Sequence, residues 1–372
     1  MIKLSSPCLG KLEKQYVERV LDAHAINMGI ETREFENELT EFFRTPNTAP
    51  HVICVNSCTA ALHLSLQALG ITYGDEVLVP SLTFIASFQA ISATGAIPIP
   101  VDSDLDDGFI SIDDIVKQQR VTGRTKAIMP VLYAGCGGRK MHKIYEFAKE
   151  NNLYVVEDAA HCFGEENIAQ RAGILCFSFD AIKNITCGDG GCIITSDYKI
   201  ADKIKDIRLL GVIGDTEARY SGKRSWGSDT VDQGWRYHMS NISAAIGRAQ
   251  LSRFNTDLGL KRKKYANMYI NELQNLENIR LFPINAKTAV PHIFPIIVKN
   301  GKRNDLKNFL RDYDIESGVQ YKPNHLLTKF NRGYDLPNVM SIYESILSIP
   351  LHPRLSETDV LYIIGKIRKF FK

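Results

Sequence analysis

From residue 51 onward, short apolar runs alternate with longer stretches whose apolar positions recur at helical spacing. "VICVNS" reads as a buried strand and "CTAALHLSLQALG" as a helix that stops at Gly70. "DEVLVPS", "AIPIPVDS", "KAIMPVLY" and "LYVVEDAA" read as further strands. "TFIASFQAISATG", ending at Gly95, "SIDDIVKQQ" and "HKIYEFAKENN" read as the helices between them. That alternation predicts βαβ units and a doubly wound, mainly parallel sheet. "ILCFSF" and "GGCIITS" follow with no helix between them, which predicts a hairpin-like or antiparallel edge piece. Before residue 51 the one helical pattern is "TREFENELTEFF", where Phe35, Leu39 and Phe42 or Phe43 share a face.

The rhythm changes near residue 240. "SNISAAIGRAQLSRFNTDLGLKRKKYANMYINEL" predicts one or two long helices opening at Ser240. Beyond it lie strand candidates "HIFPIIV" and "GVQY", then a last helix, "SETDVLYIIGKIRKFF". Ser356 followed by Asp359 gives that helix a capping-box-like start. The expected division is residues 1–240, an N-terminal segment plus a large α/β domain, and residues 241–372, linking helices and a smaller α+β domain.

Composition narrows this only a little. With 372 residues the chain can bury a large core, and 44% hydrophobic with 23% charged residues is ordinary for a soluble protein. A net charge of +3 argues for neither nucleic acid nor membrane. The start carries no apolar signal core and no run is long enough to span a bilayer, so a cytoplasmic location is expected. The eight cysteines form no CxxC pair and several sit in apolar runs, which fits buried, reduced thiols and no metal.

Ligands of an open parallel sheet lie beyond the carboxyl ends of its strands. Those ends carry "NSCT", "PSLTF", "VDSD", "LYAG", "EDAAH" and "FSFDAIK". Ser57, Cys58 and Thr59 open a helix, where free N–H groups and the helix dipole can hold an anion. Taken alone, ordinary N-capping explains them as well. Asp158 and His161 could orient a cationic nitrogen and donate to an oxygen, or could be a cap and a satisfied interior histidine. Lys183 lies in a turn between two apolar strands. Turn lysines are usually solvated, yet a lysine in a partly dry site sheds its charge and attacks carbonyls. Gly188, Gly190 and Gly191 would let backbone pass close to a bulky ligand, or simply form turns. Together, an anion cradle, a carboxylate and an amine match what pyridoxal phosphate requires: a phosphate site, a partner for the pyridine nitrogen, and a lysine for the aldehyde.

At this point the chain resembles the DegT/DnrJ/EryC1/StrS sugar aminotransferases, of the fold type I pyridoxal phosphate architecture. The resemblance runs through "GIETREFENELTEFF", "VNSCTAALHLSLQALGITYGDEVLVPSLTFIAS", "VVEDAAHCFG", "FSFDAIKNITCGDGG", "GWRYHMSNISAAIGRAQL", "QYKPNHLL" and "SIPLHPRLSETDV". It implies that Lys183 forms the Schiff base and acts as general acid and base, and that Asp158 pairs with the pyridine nitrogen. His161 would stand near the ring's phenolic oxygen and Phe84 against the ring face. Cys58, Thr59 and Ser178 would hold the phosphate, and Tyr321 and His325 would lie near the sugar.

This chain departs from the family pattern at three places. Cys58 stands where the family often has glycine, Arg236 where it commonly has asparagine, and His238 where it commonly has arginine. The resemblance implies a homodimer with shared active sites, in which Arg236 is the partner subunit's contribution to the cofactor phosphate or, alternatively, contacts the nucleotide. Arg354 is a candidate, by position only, for the donor carboxylate.

The expected reaction is transfer of the amino group of L-glutamate to a nucleotide-linked keto-sugar. A dTDP-4-keto-6-deoxyhexose comes first, on the "YHMSN" text, and the product would serve O-antigen or other surface polysaccharide. C3 amination, or a GDP- or UDP-linked 4-keto sugar, are the alternatives. A non-transaminase pyridoxal phosphate enzyme or a regulator on this fold stand further off, since no DNA-binding segment or basic run appears.

Overall fold

The computed structural model describes residues 1–47, 49–136, 138–223 and 228–372. Its larger sheet has seven strands: β1 (His51–Val55), β2 (Glu76–Pro80), β3 (Ile97–Val101), β4 (Thr125–Ile128), β5 (Tyr154–Asp158), β6 (Ile174–Ser178) and β7 (Gly191–Thr195). They lie in the order β1-β7-β6-β5-β4-β2-β3. The pairs from β3 across to β6 are parallel, whereas β7 runs antiparallel to both β6 and β1. The antiparallel piece predicted for β6 and β7 is present, but β1 covers β7, so the pair is not the sheet's edge.

Two helices, α1 (Lys11–Asp22) and α2 (Ile30–Phe43), precede the sheet. α1 was not expected; Leu12, Tyr16 and Val20 recur at helical spacing, although only Glu13 and Val20 of its residues are buried. Its polar tie is Glu13, which takes the N–H of Gly10 and accepts from Gln250. α3 (Cys58–Ala68), α4 (Ile85–Ala93), α5 (Ile112–Lys117), α6 (Met141–Glu150), α7 (Tyr198–Ile207) and α8 (Asp215–Tyr220) follow the strands. α3 is buried on nearly every side, which is why its sequence is apolar all round rather than striped.

The long helical stretch begins at Ser240, whose hydroxyl caps α9 (Asn241–Ser252); a π-helical turn then separates it from α10 (Gly259–Leu273). The second sheet, β10-β9-β8, is antiparallel and built from β8 (Ile279–Leu281), β9 (Phe294–Val298) and β10 (Ile346–Ile349). Around it pack α11 (Arg303–Asp312), α12 (Pro337–Ser345) and α13 (Glu357–Phe370). The Ser356–Asp359 capping box of α13 is formed in both directions. "GVQY" is not a strand: Gly318 makes only an isolated bridge to Ser348, and β10 fills the place expected for it. The first residues of the chain also join this second unit, Ile2 bridging to Ile315. Among the described residues no helix is long and apolar enough to cross a membrane.

Candidate active site

Beyond the carboxyl ends of β1, β2, β5 and β6 the sheet opens into a cavity of about 320 Å³. Because β7 runs antiparallel, the residues just before it, Asp189 and Gly190, reach the same edge. Lys183, Asp158, His161, Phe84, Cys58, Thr59, Ser178 and Tyr321 all line this one space. Of the strand ends singled out in the sequence, "VDSD" goes elsewhere: Asp102 accepts from the N–H groups of Asn338 and Val339 at the start of α12.

The turn that carries Lys183 is pinned, not solvated. The Asp180 carbonyl accepts from the Lys183 N–H, and the Asn184 amide donates to the carbonyls of Phe163 and Val290 at 2.8 and 2.9 Å. Burial draws the Lys183 amine below the ordinary lysine range, an effect that Asp158, Cys58 and Asp180 oppose and Arg262 reinforces. Gly191 is required by the chain's own backbone: a Cβ there would stand 2.6 Å from the Phe177 carbonyl and 2.8 Å from the Cys58 nitrogen. Gly188 adopts φ +82°, and only Gly190 of the three lines the cavity. Gly191 is thus what lets β7 pack closely against the head of α3.

Asp158, at the end of β5, is 6% exposed. One carboxylate oxygen accepts from the Ser87 hydroxyl at 2.7 Å and the other from the Ala160 N–H at 3.2 Å. Burial raises its pKa, against the pull of those donors and of Lys183. Among the described residues it forms no ion pair, so a buried carboxylate faces the cavity without a cation in contact. A protonated ring nitrogen supplies that cation, and this is the clearest fit between the residues present and pyridoxal phosphate.

His161 also points in. The Ala134 N–H donates to its Nδ1 at 3.2 Å, which leaves the proton of the neutral imidazole on Nε2. Ala134 sits at φ +55°, a strained position for alanine that aims this N–H at the ring. Burial and the nearby Lys183 push the His161 pKa well below the usual imidazole value, so the neutral form is the one present. Nε2 lies 3.3 Å from the Tyr321 hydroxyl, and the Tyr321 ring meets that of Phe84 at 5.6 Å. Phe84 remains 55% exposed at the cavity mouth, free to cover a flat ligand.

Opposite them, the amides of Cys58 and Thr59 head α3, where no carbonyl one turn back can accept from them. Ser57 caps that helix, accepting from the Ala60 N–H at 3.1 Å. The Cys58 thiol turns inward toward the Cys176 carbonyl at 3.7 Å, so this residue offers the cavity its backbone and not its sulfur. That is how a cysteine fits where the family often has glycine.

His325 does not line the cavity. It is 3% exposed and holds Ser81 at 2.7 Å through Nδ1, while Asn324 donates to the carbonyls of Ser81 and Thr83. The pair ties the loop bearing Tyr321 to the end of β2. Arg236 is exposed outside the cavity, its backbone held by Asn56 and Leu209. Arg354 is likewise exposed and lines nothing here. Two residues that sequence reasoning missed stand behind Lys183: His292, whose Nε2 is 3.4 Å from the amine, and the buried Arg262. Both sit far along the chain in segments with no strand-end signature.

Comparison with known proteins shows the family. The sequence model of the DegT/DnrJ/EryC1/StrS aminotransferase family matches residues 7–368. The chain belongs to that family. The GDP-perosamine synthase of Escherichia coli O157:H7 is 35% identical, over 100% of this chain and 98% of the relative. The spore coat polysaccharide biosynthesis protein SpsC of Bacillus subtilis is 34% identical, over 99% and 96%. Among solved structures, NtdA from Bacillus subtilis with its bound cofactor PMP superposes at a TM-score of 0.85 with 27% identity, covering 96% of this chain and 81% of NtdA. The protein is a pyridoxal phosphate-dependent sugar aminotransferase of fold type I.

Proposed function

We propose that this aminotransferase moves the amino group of L-glutamate to a nucleotide-linked 4-keto-6-deoxyhexose, in the cytoplasm, giving an amino sugar for surface polysaccharide. The observation that carries the site assignment is the convergence of an uncharged-leaning Lys183 amine and an unpaired buried Asp158 carboxylate on one cavity. Bound there, pyridoxal phosphate supplies an electron sink for the electrons of a C–H bond broken beside the amino nitrogen. Lys183 Nζ takes the α-proton of the donor and returns it to the carbon on the far side of the amino nitrogen, as base and then acid. Asp158 would keep a proton on the ring nitrogen. The His161 Nε2–H and the Tyr321 hydroxyl would serve the ring's phenolic oxygen, and Phe84 would cover the ring. Thr59, Ser178 and the amides heading α3 would receive the phosphate.

Charge balance supports a shared site in a homodimer. Among the described residues the cavity holds three aspartates, Asp158, Asp180 and Asp189, against one lysine and no arginine. A phosphate dianion there calls for a cation from outside the chain, and the exposed Arg236 of the partner subunit is our candidate for it. The eight free cysteines, seven of them buried, suit a reducing compartment.

The "YHMSN" text favours C4 amination; for the nucleotide dTDP is the first reading, and the 35% identical GDP-perosamine synthase favours GDP as the second. Product formation from glutamate across a panel of dTDP-, GDP- and UDP-linked 3-keto and 4-keto sugars decides between them. Exclusive use of a 3-keto sugar would sink the C4 assignment. Lys183→Ala should abolish turnover, and Asp158→Asn should slow it heavily with the fold intact; normal rates in either variant remove that residue from the site.

A further inference from the structure

His292 precedes β9 in the second unit, yet its side chain is 2% exposed and lies against the Lys183 amine. Its ring is 4.6 Å from that of His161. The other ring nitrogen, Nδ1, is buried with no partner among the described residues. That orphan decides the tautomer. A neutral imidazole has one proton, and placing it on Nδ1 would bury an N–H donor with nothing to accept it. A bare, unpaired nitrogen is the cheaper arrangement. The proton therefore belongs on Nε2, 3.4 Å from Lys183 Nζ. An ammonium has no lone pair to receive it, so the contact suits the neutral amine alone.

Arg262, 1% exposed, holds the two residues in register. Its Nη1 donates to the carbonyls of His292 at 2.9 Å and Leu351 at 3.1 Å. Its Nη2 donates to those of Ile182 and Lys183, each at 3.3 Å. No carboxylate pairs with it among the described residues.

We propose that His292 is a positioning residue for Lys183, its Nε2–H held against the lone pair of the lysine amine, with Arg262 bracing both backbones. The unit keeps the freed amine unprotonated and aimed into the cavity until it takes the donor's α-proton. The groups that bear on Lys183 from other elements are consistent: burial and Arg262 favour the neutral amine, whereas Asp158, Cys58 and Asp180 favour the ammonium. The inference rests on Lys183 being the lysine that receives the cofactor aldehyde.

Nitrogen NMR of the full chain, freed of cofactor and labelled in histidine, reads the tautomer without any mutation. A protonated Nε2 and a bare Nδ1 at His292 are expected, and the reverse overturns the proposal. Trace acetic anhydride labelling, resolved by mass spectrometry, then gives the pH at which Lys183 is half reactive. His292→Phe should raise that pH by about half to one unit, and His292→Gln, whose amide N–H reaches the same place, should restore most of it. An unchanged or lowered value in a folded His292→Phe chain overturns the proposal; should that variant not fold, the tautomer decides. Borohydride reduction of the cofactor-loaded wild type separately tests the premise. A label trapped on another residue refutes the role of Lys183, whatever the tautomer of His292.

Discussion

Arg208 and Arg262 are the two bulkiest side chains that the described fold buries completely, and their surroundings differ in one decisive respect. Arg208 lies in a closed electrostatic network. Its Nη1 donates to Glu36 at 2.5 Å and to the Cys54 carbonyl at 2.7 Å, and its Nη2 donates to the Tyr220 hydroxyl at 2.6 Å. Tyr220 in turn donates to the second oxygen of Glu36, so the charge is balanced inside the fold. Arg262 has four carbonyls and no acid; burial brings its pKa down to about 10. The first site is built to be stable. The second leaves a positive charge uncompensated behind Lys183, where it discourages an ammonium. A buried charge without a counter-ion is costly, and its place beside the reactive amine gives that cost a use.

The largest expected effect is on the balanced site. Arg208→Met leaves Glu36 buried and unpaired, and should lower stability by about 3–5 kcal/mol in denaturant titration, with a second change, Glu36→Leu, recovering part of it. Arg262→Met deletes a cation and leaves only carbonyls, so a loss of about 1–3 kcal/mol is expected. It should also raise the pH at which Lys183 becomes reactive, which Arg208→Met should not do. Equal stability losses, or a shift of Lys183 in both variants, would dissolve the contrast.

Acid sharpens it further. Burial and nearby cations hold His161 and His292 neutral well below the usual imidazole pKa, and hold His238, near Arg208, down to about 4. An unfolded chain takes up these protons near pH 6.5, whereas the folded chain resists them. Their stabilising contribution is therefore full above about pH 6.5 and is lost as pH falls through the window below it, on the order of 1 kcal/mol or more per histidine. Melting temperature measured from pH 7.5 to 4.5 should fall accordingly, less steeply in His292→Gln than in wild type; a flat profile would contradict the neutral assignments. The smallest effect belongs to an exposed pair, Lys264 with Glu357, where Lys264→Ala should change stability by about 0.5 kcal/mol or less and serve as the baseline.

Much of the site was legible from strand ends alone. Lys183, Asp158, His161 and the α3 head each follow a strand of one parallel sheet, and the sheet's geometry carries strand ends to one edge. His325 shows the limit of that reasoning. Its motif placed it near the sugar, yet packing turned it onto Ser81, outside the cavity lining. α1 and β10 went unseen as well: α1 has a helical period but buries only Glu13 and Val20, and β10 pairs with β9, which is distant along the chain.

Local pattern was enough for the alternating strands and helices, the cap at Ser57, the capping box of α13 and the family of the chain, because each depends on neighbours a few residues away. His292 and Arg262 depend on something else. Their partners are roughly eighty and a hundred residues distant along the chain. A histidine before a strand and an arginine in a basic helix carry no local mark of burial. Only the docking of the second unit onto the sheet removes water from both, and that desolvation converts two ordinary polar residues into the environment of the reactive amine.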